Sequence, residues 1–294
     1  MKNMLRVRNL TYAYEKGRSP VLRNLDLLIG EGEYIAVIGP NGCGKTTLIR
    51  HFNALLLPTA GEVQVDEFST SDSKRLLEIR RLVGMAFQNA DNQIVGMSVE
   101  EDVAFGPGNL GLPTAEVRRR VDQALAMVGL TELRTRQPYT LSGGQKQLLA
   151  LAGLLAMEPK LIVLDEPTAS LDPESKKKVL TLLKTLNSQG LGIIHVTHSM
   201  EEAALAERVL VMDKGKLVAD GKPDDILSRV EWLKSLGLAP PTITELMWKL
   251  QQGGADVSTS VFTIDTAVKE IITLLERFKN SSQVIMTQKA DGNV

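Results

Sequence analysis

The sequence predicts an α/β fold: a largely parallel sheet, an inserted helical subdomain and a small, mainly helical C-terminal domain. Three observations predict it. The apolar run Tyr34–Ile38 leads straight into the glycine-rich stretch Gly39–Thr47, and a helical pattern with Leu48, Ile49, Phe52 and Leu55 follows. The continuous apolar runs Leu161–Leu164 and Leu191–Val196 read as strands buried on both faces, as in a parallel sheet covered by helices. Strand and helix patterns alternate as far as Gly221, after which short helical patterns take over.

Composition sets the outer bounds. The 294 residues suffice for one large domain or one large and one small. Hydrophobic residues make up 43% and charged residues 23%, which is ordinary for a globular chain. A net charge of -1 gives no global basic field, so nucleic acid is not an expected partner. The single Cys43 excludes an internal disulfide framework. No apolar window is long enough to cross a bilayer, and no signal peptide is read, so a cytosolic location is expected.

The elements follow in order. Leu5 and Val7 alternate with Arg6 and Arg8, an edge-strand pattern. Residues 21–29 read as a second strand and 62–65 as a short one. Leu76, Leu77 and Ile79 are expected on one helical face, and 82–87 as a strand ending at Gln88. From about 98 to 159 the composition favours helices, the inserted subdomain; the run Arg118–Arg120 reads as a solvated helix face. Residues 209–212 and 216–218 resemble two strands across a tight turn at Lys214-Gly215. The first domain is thus expected to span 1–222 and the second 223–280, with helices over 243–250 and 266–278. Residues 281–294 are expected to form a flexible tail.

The chemistry starts at Gly39-Pro-Asn41-Gly42-Cys43-Gly44-Lys45-Thr46-Thr47. Strand, glycine loop and helix are the context of a phosphate-binding loop. The glycines let the backbone close on a polyphosphate, and amides at the helix start face the anion. Lys45 offers a point charge to the outer phosphates, and Thr46 a hydroxyl to a magnesium ion. Asp165 and Glu166 close the run Leu161–Leu164. Asp165 is placed to hold the magnesium, and Glu166 to polarise an attacking water as general base. Gln88, at a strand end, can touch the metal's water shell and sense phosphate through a mobile loop. His198 follows another strand end, where a neutral imidazole can reach the leaving phosphate and hold Glu166 or the water. His51 and His195 read as structural. Tyr12 and Tyr14 either pack into a sheet or offer a ring to stack on a base.

Leu141-Ser142-Gly143-Gly144-Gln145 is the second specific motif. Ser142 is a good N-cap for a following helix. A hydroxyl, bare amides and a positive dipole end also make a phosphate receptor. One chain then carries two phosphate half-sites that cannot serve one nucleotide if they face different ways. Two chains head to tail resolve this.

Together Gly39–Thr47, Gln88, Leu141–Gln145, Leu161–Glu166, Ser170-Leu171-Asp172 and His198 resemble, in order and spacing, the ATP-binding cassette (ABC) ATPases, a branch of the P-loop NTPases. The resemblance runs from about Leu5 to Pro223 and implies ATP and Mg2+ as ligands and ATP hydrolysis as the activity. It makes Tyr14 the adenine-stacking aromatic and Asp172 the residue connecting two sites across a dimer. Phe87–Gln93, Glu101–Pro107 and Asn109–Pro113 further resemble the energy-coupling factor (ECF) branch, the ATPases of vitamin and cobalt or nickel uptake. The helical tail with Gly237, Leu238, Pro240, Leu246 and Leu250 is similar to that branch's C-terminal domain, which contributes to ATPase pairing. Ala90, Gly108, Leu148 and Ser199 depart from the pattern, yet none removes a phosphate, metal or base ligand. Cys43 occupies a variable position, either as a small filler or as a thiol activated by the dipole.

The resemblance implies a second ATPase subunit, as homodimer or paralogous heterodimer, and a transmembrane coupling subunit. A membrane substrate-binding subunit would be contacted indirectly, and the chain would sit at the cytoplasmic face of the membrane. The acids Asp91, Glu100, Glu101 and Asp102 are expected to line a groove for a basic helix of the membrane partner. The alternatives are the ATPase of a conventional ABC importer or exporter, a soluble ABC ATPase acting on nucleic acid or ribosomes, and a regulator without turnover. Asp91-Asn-Gln93 and Phe105-Gly-Pro107 separate the first; the absence of long coiled coils or a second cassette argues against the second; Glu166 and His198 argue against the third.

Overall fold

The computed structural model describes residues 2–15 and 17–291, with backbone alone over 278–291. The chain opens with β1 (Asn3–Tyr12) and β2 (Leu22–Gly30), paired antiparallel. β3 (Tyr34–Ile38), buried at every residue, leads through the glycine loop into α1 (Lys45–His51). β4 (Ala60–Val65) returns beside β1 and pairs with the short β5 (Phe68–Ser69), giving a four-stranded sheet in the order β2-β1-β4-β5. β1 is therefore not the edge strand its alternation suggests. Period-two patterning reports which face meets the core, not how many neighbours a strand has. Leu5 and Val7 face the core while Arg6 and Arg8 point outward.

α2 (Leu76–Leu82) buries Ile79 but leaves Leu77 62% exposed. Leu77 stands about 200° round the helix from Ile79, so the two cannot share a face. β6 (Val83–Ala86) follows, and then α3 (Val99–Asn109), α4 (Thr114–Val128) and α5 (Gly143–Leu155) form the helical insertion. The chain re-enters the main sheet with β7 (Leu161–Asp165), α6 (Pro173–Ser188), β8 (Gly192–Val196) and the short α7 (Met200–Ala203). The hairpin β9 (Arg208–Asp213) and β10 (Lys216–Gly221) turns at Lys214 and Gly215, both with positive φ. The six-stranded sheet has the order β10-β9-β3-β8-β7-β6 and is parallel except for β10.

This sheet separates two cores. Tyr34, Ala36 and Ile38 of β3 face the helical insertion together with Leu149, Ala152 and Leu183. Ile35 and Val37 face the antiparallel sheet and α1 together with Leu48 and Phe52. Each side hides a full apolar face, which is why β3, β7 and β8 read as continuous hydrophobic runs.

The arginine run is a solvated face only at Arg118 and Arg119, which are exposed. Arg120 is 7% exposed, with Nε 2.7 Å from Glu116 Oε1 and Nη2 2.8 Å from Glu158 Oε2. Arg119 meets the same two glutamates, so the run clamps α4 to the chain just after α5. Periodicity could not show this because Glu158 lies far along the chain.

After β10 come α8 (Pro223–Leu227), α9 (Val230–Ser235), α10 (Thr242–Gln252) and α11 (Ile264–Asp291). Ile226, Leu227, Leu233 and Leu238 join the core of the helical insertion, so packing with the first domain continues past residue 222. α10 and α11 close around a separate small core of Met247, Val257, Val261 and Ala267. α11 extends through much of the segment expected as a tail, and residues 292–294 lie outside the described ones. No helix among the described residues is long and apolar enough to cross a membrane.

Candidate active site

The parallel strands bring the predicted residues to one edge. The glycine loop leaves the carboxyl end of β3, Asp165 ends β7 with Glu166 directly after it, Gln88 follows β6 and His198 follows β8. These strands are neighbours in the sheet, and ligands of open α/β sheets bind outside the carboxyl ends.

The loop is packed from behind. Gly39 has φ 154°, and a Cβ there would run into the Met212 carbonyl of β9 and meet Cys43 Sγ at 2.8 Å. Only glycine allows that approach. Lys45, 6% exposed, folds over its own loop, and Nζ donates to the carbonyls of Gly39 at 2.8 Å and Pro40 at 3.1 Å. Asn41 and Gly42 are exposed at the tip. Cys43 is buried, and burial, opposed by Lys45, pushes its thiol up. Burial thus opposes a reactive thiol and favours the small filler.

The Thr46 hydroxyl donates to Asp165 Oδ2 at 2.8 Å. Asp165 is 6% exposed; burial raises its carboxyl above the ordinary value, more than the Thr46 hydroxyl lowers it. Two adjoining oxygen ligands of this kind fit a hard, octahedral cation such as magnesium. A cavity of about 550 Å³ opens beside Thr46, Asp165 and Gln88.

Glu166 receives two partners. His198 Nε2 lies 2.7 Å from its Oε1, and Gln88 Nε2 donates to its Oε2 at 3.1 Å. Its backbone takes φ +51°, a conformation that non-glycine residues adopt only where the surroundings hold it, and its N–H donates to Val196 O at 3.0 Å. Gln88 thus bonds to Glu166 while bordering the cavity beside Thr46 and Asp165. Tyr14 is 57% exposed while its hydroxyl lies 3.1 Å from Thr47 Oγ1. Tyr12 stands edge-on between Tyr14 and His51, centroids 5.0 and 4.8 Å away, and is a packing residue.

Ser142 and Gln145 form a capping box at the start of α5: Gln145 N–H donates to Ser142 Oγ at 3.3 Å, and Ser142 N–H to Gln145 Oε1 at 2.9 Å. Gly143 faces open space, whereas a Cβ on Gly144 would collide with the Ser175 side chain of α6. Gly144 is therefore also a packing glycine. Asp172 caps α6, with Oδ1 accepting from the Glu174 and Ser175 amides at 3.0 Å each. Ser199 accepts from Glu202 N–H at 3.3 Å, doing the capping that an aspartate there would do. Leu148 packs against the core of the helical insertion.

Each acid of the expected groove has an internal partner, while Asp91 and Glu101 stay exposed. Asp91 meets Lys146 of α5 at 2.6 Å, and Glu100 meets Arg134 at 2.8 Å. Glu101 accepts from Met97 N–H at 3.1 Å, and Asp102 from the Val95 and Gly96 amides at 2.7 and 2.9 Å. Gln93, read in the sequence only as part of the branch-specific segment, brackets Phe87 through both backbone groups at 3.2 and 3.0 Å and so shapes the loop after Gln88. Sequence reading missed Glu202 with its partners Thr168, Lys176 and Thr197.

The family model for ABC transporter matches residues 22–169. The Cobalt import ATP-binding protein CbiO of Syntrophus aciditrophicus is 51% identical over 268 residues, 91% of this chain and 96% of its own. The Energy-coupling factor transporter ATP-binding protein EcfA1 of Caldanaerobacter subterraneus subsp. tengcongensis is 49% identical, over 92% of this chain and 99% of its own. The solved structure of cbiO1 from Clostridium perfringens, described as part of the ABC transporter complex cbiONQ, superposes with a TM-score of 0.74. It is 36% identical and is matched over its whole length by 84% of this chain. With the loop, the carboxylate pair and the capped α5 on the same scaffold, the chain belongs to the ABC transporter ATP-binding proteins, is an ATP-hydrolysing enzyme, and is closely related to the energy-coupling factor ATPases.

Proposed function

We propose that this chain powers an energy-coupling factor importer for a micronutrient, a vitamin or cobalt or nickel. The observation that carries this is the span of the likeness. The cobalt-import and energy-coupling relatives match over nine-tenths of the chain, well past the family model that ends at 169. A reading as a conventional importer or exporter ATPase needs only the shared core and leaves the α10–α11 unit unexplained.

In this reading Lys45 and the loop of Gly39, Asn41, Gly42, Cys43, Gly44 and Thr47 hold the phosphates of ATP, and Tyr14 stacks on the base. Thr46 and Asp165 hold magnesium, with Gln88 turning to its water shell. When bound, the metal neutralises charge on the transferring phosphoryl group. Glu166 takes the proton of the attacking water, and His198 orients Glu166, a role that the 2.7 Å contact supports. Ser142, Gly143, Gly144 and Gln145 face the nucleotide of a second ATPase subunit, a copy or a paralogue, and Asp172 links the two sites. The chain sits at the cytoplasmic face, gripped by a transmembrane coupling subunit, with the membrane substrate-binding subunit contacted through it.

The test is Glu166→Gln in protein purified with its membrane partners. ATP binding is retained while phosphate release falls by about a hundredfold or more. Turnover at the wild-type rate removes Glu166 from its role. Vesicles carrying the wild-type assembly take up substrate in the presence of ATP; turnover without uptake of any vitamin, cobalt or nickel overturns the importer reading.

A further inference from the structure

Behind the Glu166–His198 pair lies a carboxylate that hydrolysis, as described so far, does not use. Glu202 of α7 is 2% exposed. Its Oε1 accepts from Thr168 Oγ1 at 2.7 Å and meets Lys176 Nζ at 2.6 Å. Its Oε2 accepts from Thr197 Oγ1 at 2.8 Å. His195 Nε2 lies 3.1 Å from the same oxygen, off the line of the ring N–H. Thr168, Thr197, Glu202, Glu166 and His198 border one cavity of about 320 Å³.

The connectivity gives this cluster its meaning. Thr168 stands two residues after Glu166, and Thr197 directly before His198. Each carboxylate oxygen therefore holds one of the two segments that carry the pair. Thr197 Oγ1 also accepts from Ser199 N–H at 3.0 Å, so one hydroxyl grips the chain on both sides of His198. Past the strand ends the sheet holds each segment by a single backbone bond, Glu166 N–H to Val196 O at 3.0 Å and Thr197 N–H to Val37 O at 3.2 Å, and the loops beyond have no strand beside them. A rigid, planar acceptor between them supplies what the sheet does not.

Burying a charge this deeply is unfavourable unless it is paired and hydrogen-bonded. Lys176, in the first turn of α6 just after the Asp172 cap, provides the counter-charge. Burial alone would raise the Glu202 carboxyl, but His195, Lys176 and Thr168 outweigh it and hold the group well below the usual range. The side chain is thus an ionised acceptor, not a donor.

We propose that Glu202 is a positioning residue for ATP hydrolysis: its two carboxylate oxygens hold Thr168 and Thr197 at a fixed separation and so keep Glu166 within reach of His198. The inference rests on the reading of Glu166 and His198 given above. Neither Glu202 nor Thr197 needs to touch nucleotide, so their loss should alter turnover and not ATP affinity.

The experiment uses the full chain, with ATP affinity, kcat, KM and melting temperature measured for each variant. Glu202→Gln puts an NH2 where one threonine needs an acceptor; kcat falls about ten- to a hundredfold, while KM and ATP affinity stay at wild type. Thr197→Val, equal in size but without the hydroxyl, gives the same split. Thr197→Ser keeps the hydroxyl and restores kcat. If Glu202→Gln does not fold, the two variants at 197 decide. Equal kcat in Thr197→Val and Thr197→Ser overturns the proposal, as does wild-type kcat in Glu202→Gln. Glu166→Gln serves as the reference: if it turns over fully, the reading of the pair fails and this inference with it. If Glu166→Gln is inactive while Glu202→Gln and Thr197→Val are at wild-type rate, only the inference fails.

Discussion

Asp165→Asn should stabilise the nucleotide-free protein while abolishing turnover. The native carboxyl ends a buried strand at 6% exposure. Burial raises it above its ordinary value of 3.8; the Thr46 hydroxyl pulls it down, Glu166 pushes it up again, and Arg50 and Lys45 oppose less strongly. An acid whose folded pKa lies above its unfolded one lends stability at low pH and loses it as pH rises from 3.8 through the raised folded value. At neutral pH the full penalty is present. Asparagine carries no charge there and retains an oxygen for the Thr46 hydroxyl, which now donates at 2.8 Å. Relieving such a strained functional group brings about 0.5–2 kcal/mol, and about 2–4 °C in Tm per kcal/mol for a domain of this size. The assay is thermal unfolding of both proteins without nucleotide, at neutral pH and near pH 4. The variant melts higher at neutral pH, and the gap narrows on acidification as the native carboxyl takes up its proton. Magnesium and ATP reverse the order, because only the wild type keeps the full ligand set and the linked stabilisation. A variant melting at or below wild type at neutral pH, or a gap that widens in acid, refutes the reasoning.

Three further outcomes follow from the same geometry. Lys45→Ala weakens ATP affinity in calorimetric titration with magnesium, and an unchanged affinity takes Lys45 out of the site. Tyr14→Ala costs about 1–3 kcal/mol of nucleotide binding, while Tyr12→Ala, which loses its edge contact to His51, lowers melting temperature instead; fluorescent-nucleotide titration showing the loss only in the Tyr12 variant reverses the assignment. Asp91→Lys lowers uptake in vesicles with little change in melting, since so exposed a pair is worth about 1 kcal/mol or less, and adding Lys146→Glu restores uptake by remaking the pair with opposite signs; no recovery in the double variant returns Asp91 to the membrane partner's interface.

Much of the site was legible because its chemistry demands fixed residue types at fixed spacing. Gly39 must be glycine where β9 crosses behind the loop, and a hydroxyl must follow Lys45 if Asp165 is to be met. Such demands leave local marks. The two cores were legible for a similar reason: strands hidden on both faces give unbroken apolar runs. What stayed hidden was pairing over long separation between residues with respectable local readings. Arg120 looks like one more exposed arginine until Glu158 reaches it. Asp91, Glu100 and Asp102 look like free acids until Lys146, Arg134 and two backbone amides use them. Ser199 and Glu202 have the spacing of a capping box, and the serine does accept from the glutamate's amide. The glutamate's carboxylate turns inward instead, and nothing within the local sequence announces it.

These internal contacts also bear on how tightly ATP can bind. The working groups are hydrogen-bonded to one another: Lys45 to the carbonyls of Gly39 and Pro40, Thr46 to Asp165, Gln88 to Glu166. Binding exchanges these hydrogen bonds for new ones, so each contributes a difference of about 0.5–1.5 kcal/mol, not its full strength. Lys45 gains most from the exchange, because a polyphosphate offers it charge where two carbonyls offer only dipoles. Gln88 gains least, since it gives up a carboxylate to reach a water shell. In the proposed reading its release would therefore add little to affinity but free Glu166, and the loop it belongs to is joined to α5 through Asp91 and Lys146. A group that contributes little to affinity while shifting a connected segment suits the task of reporting occupancy, because the report then adds little bias for or against binding.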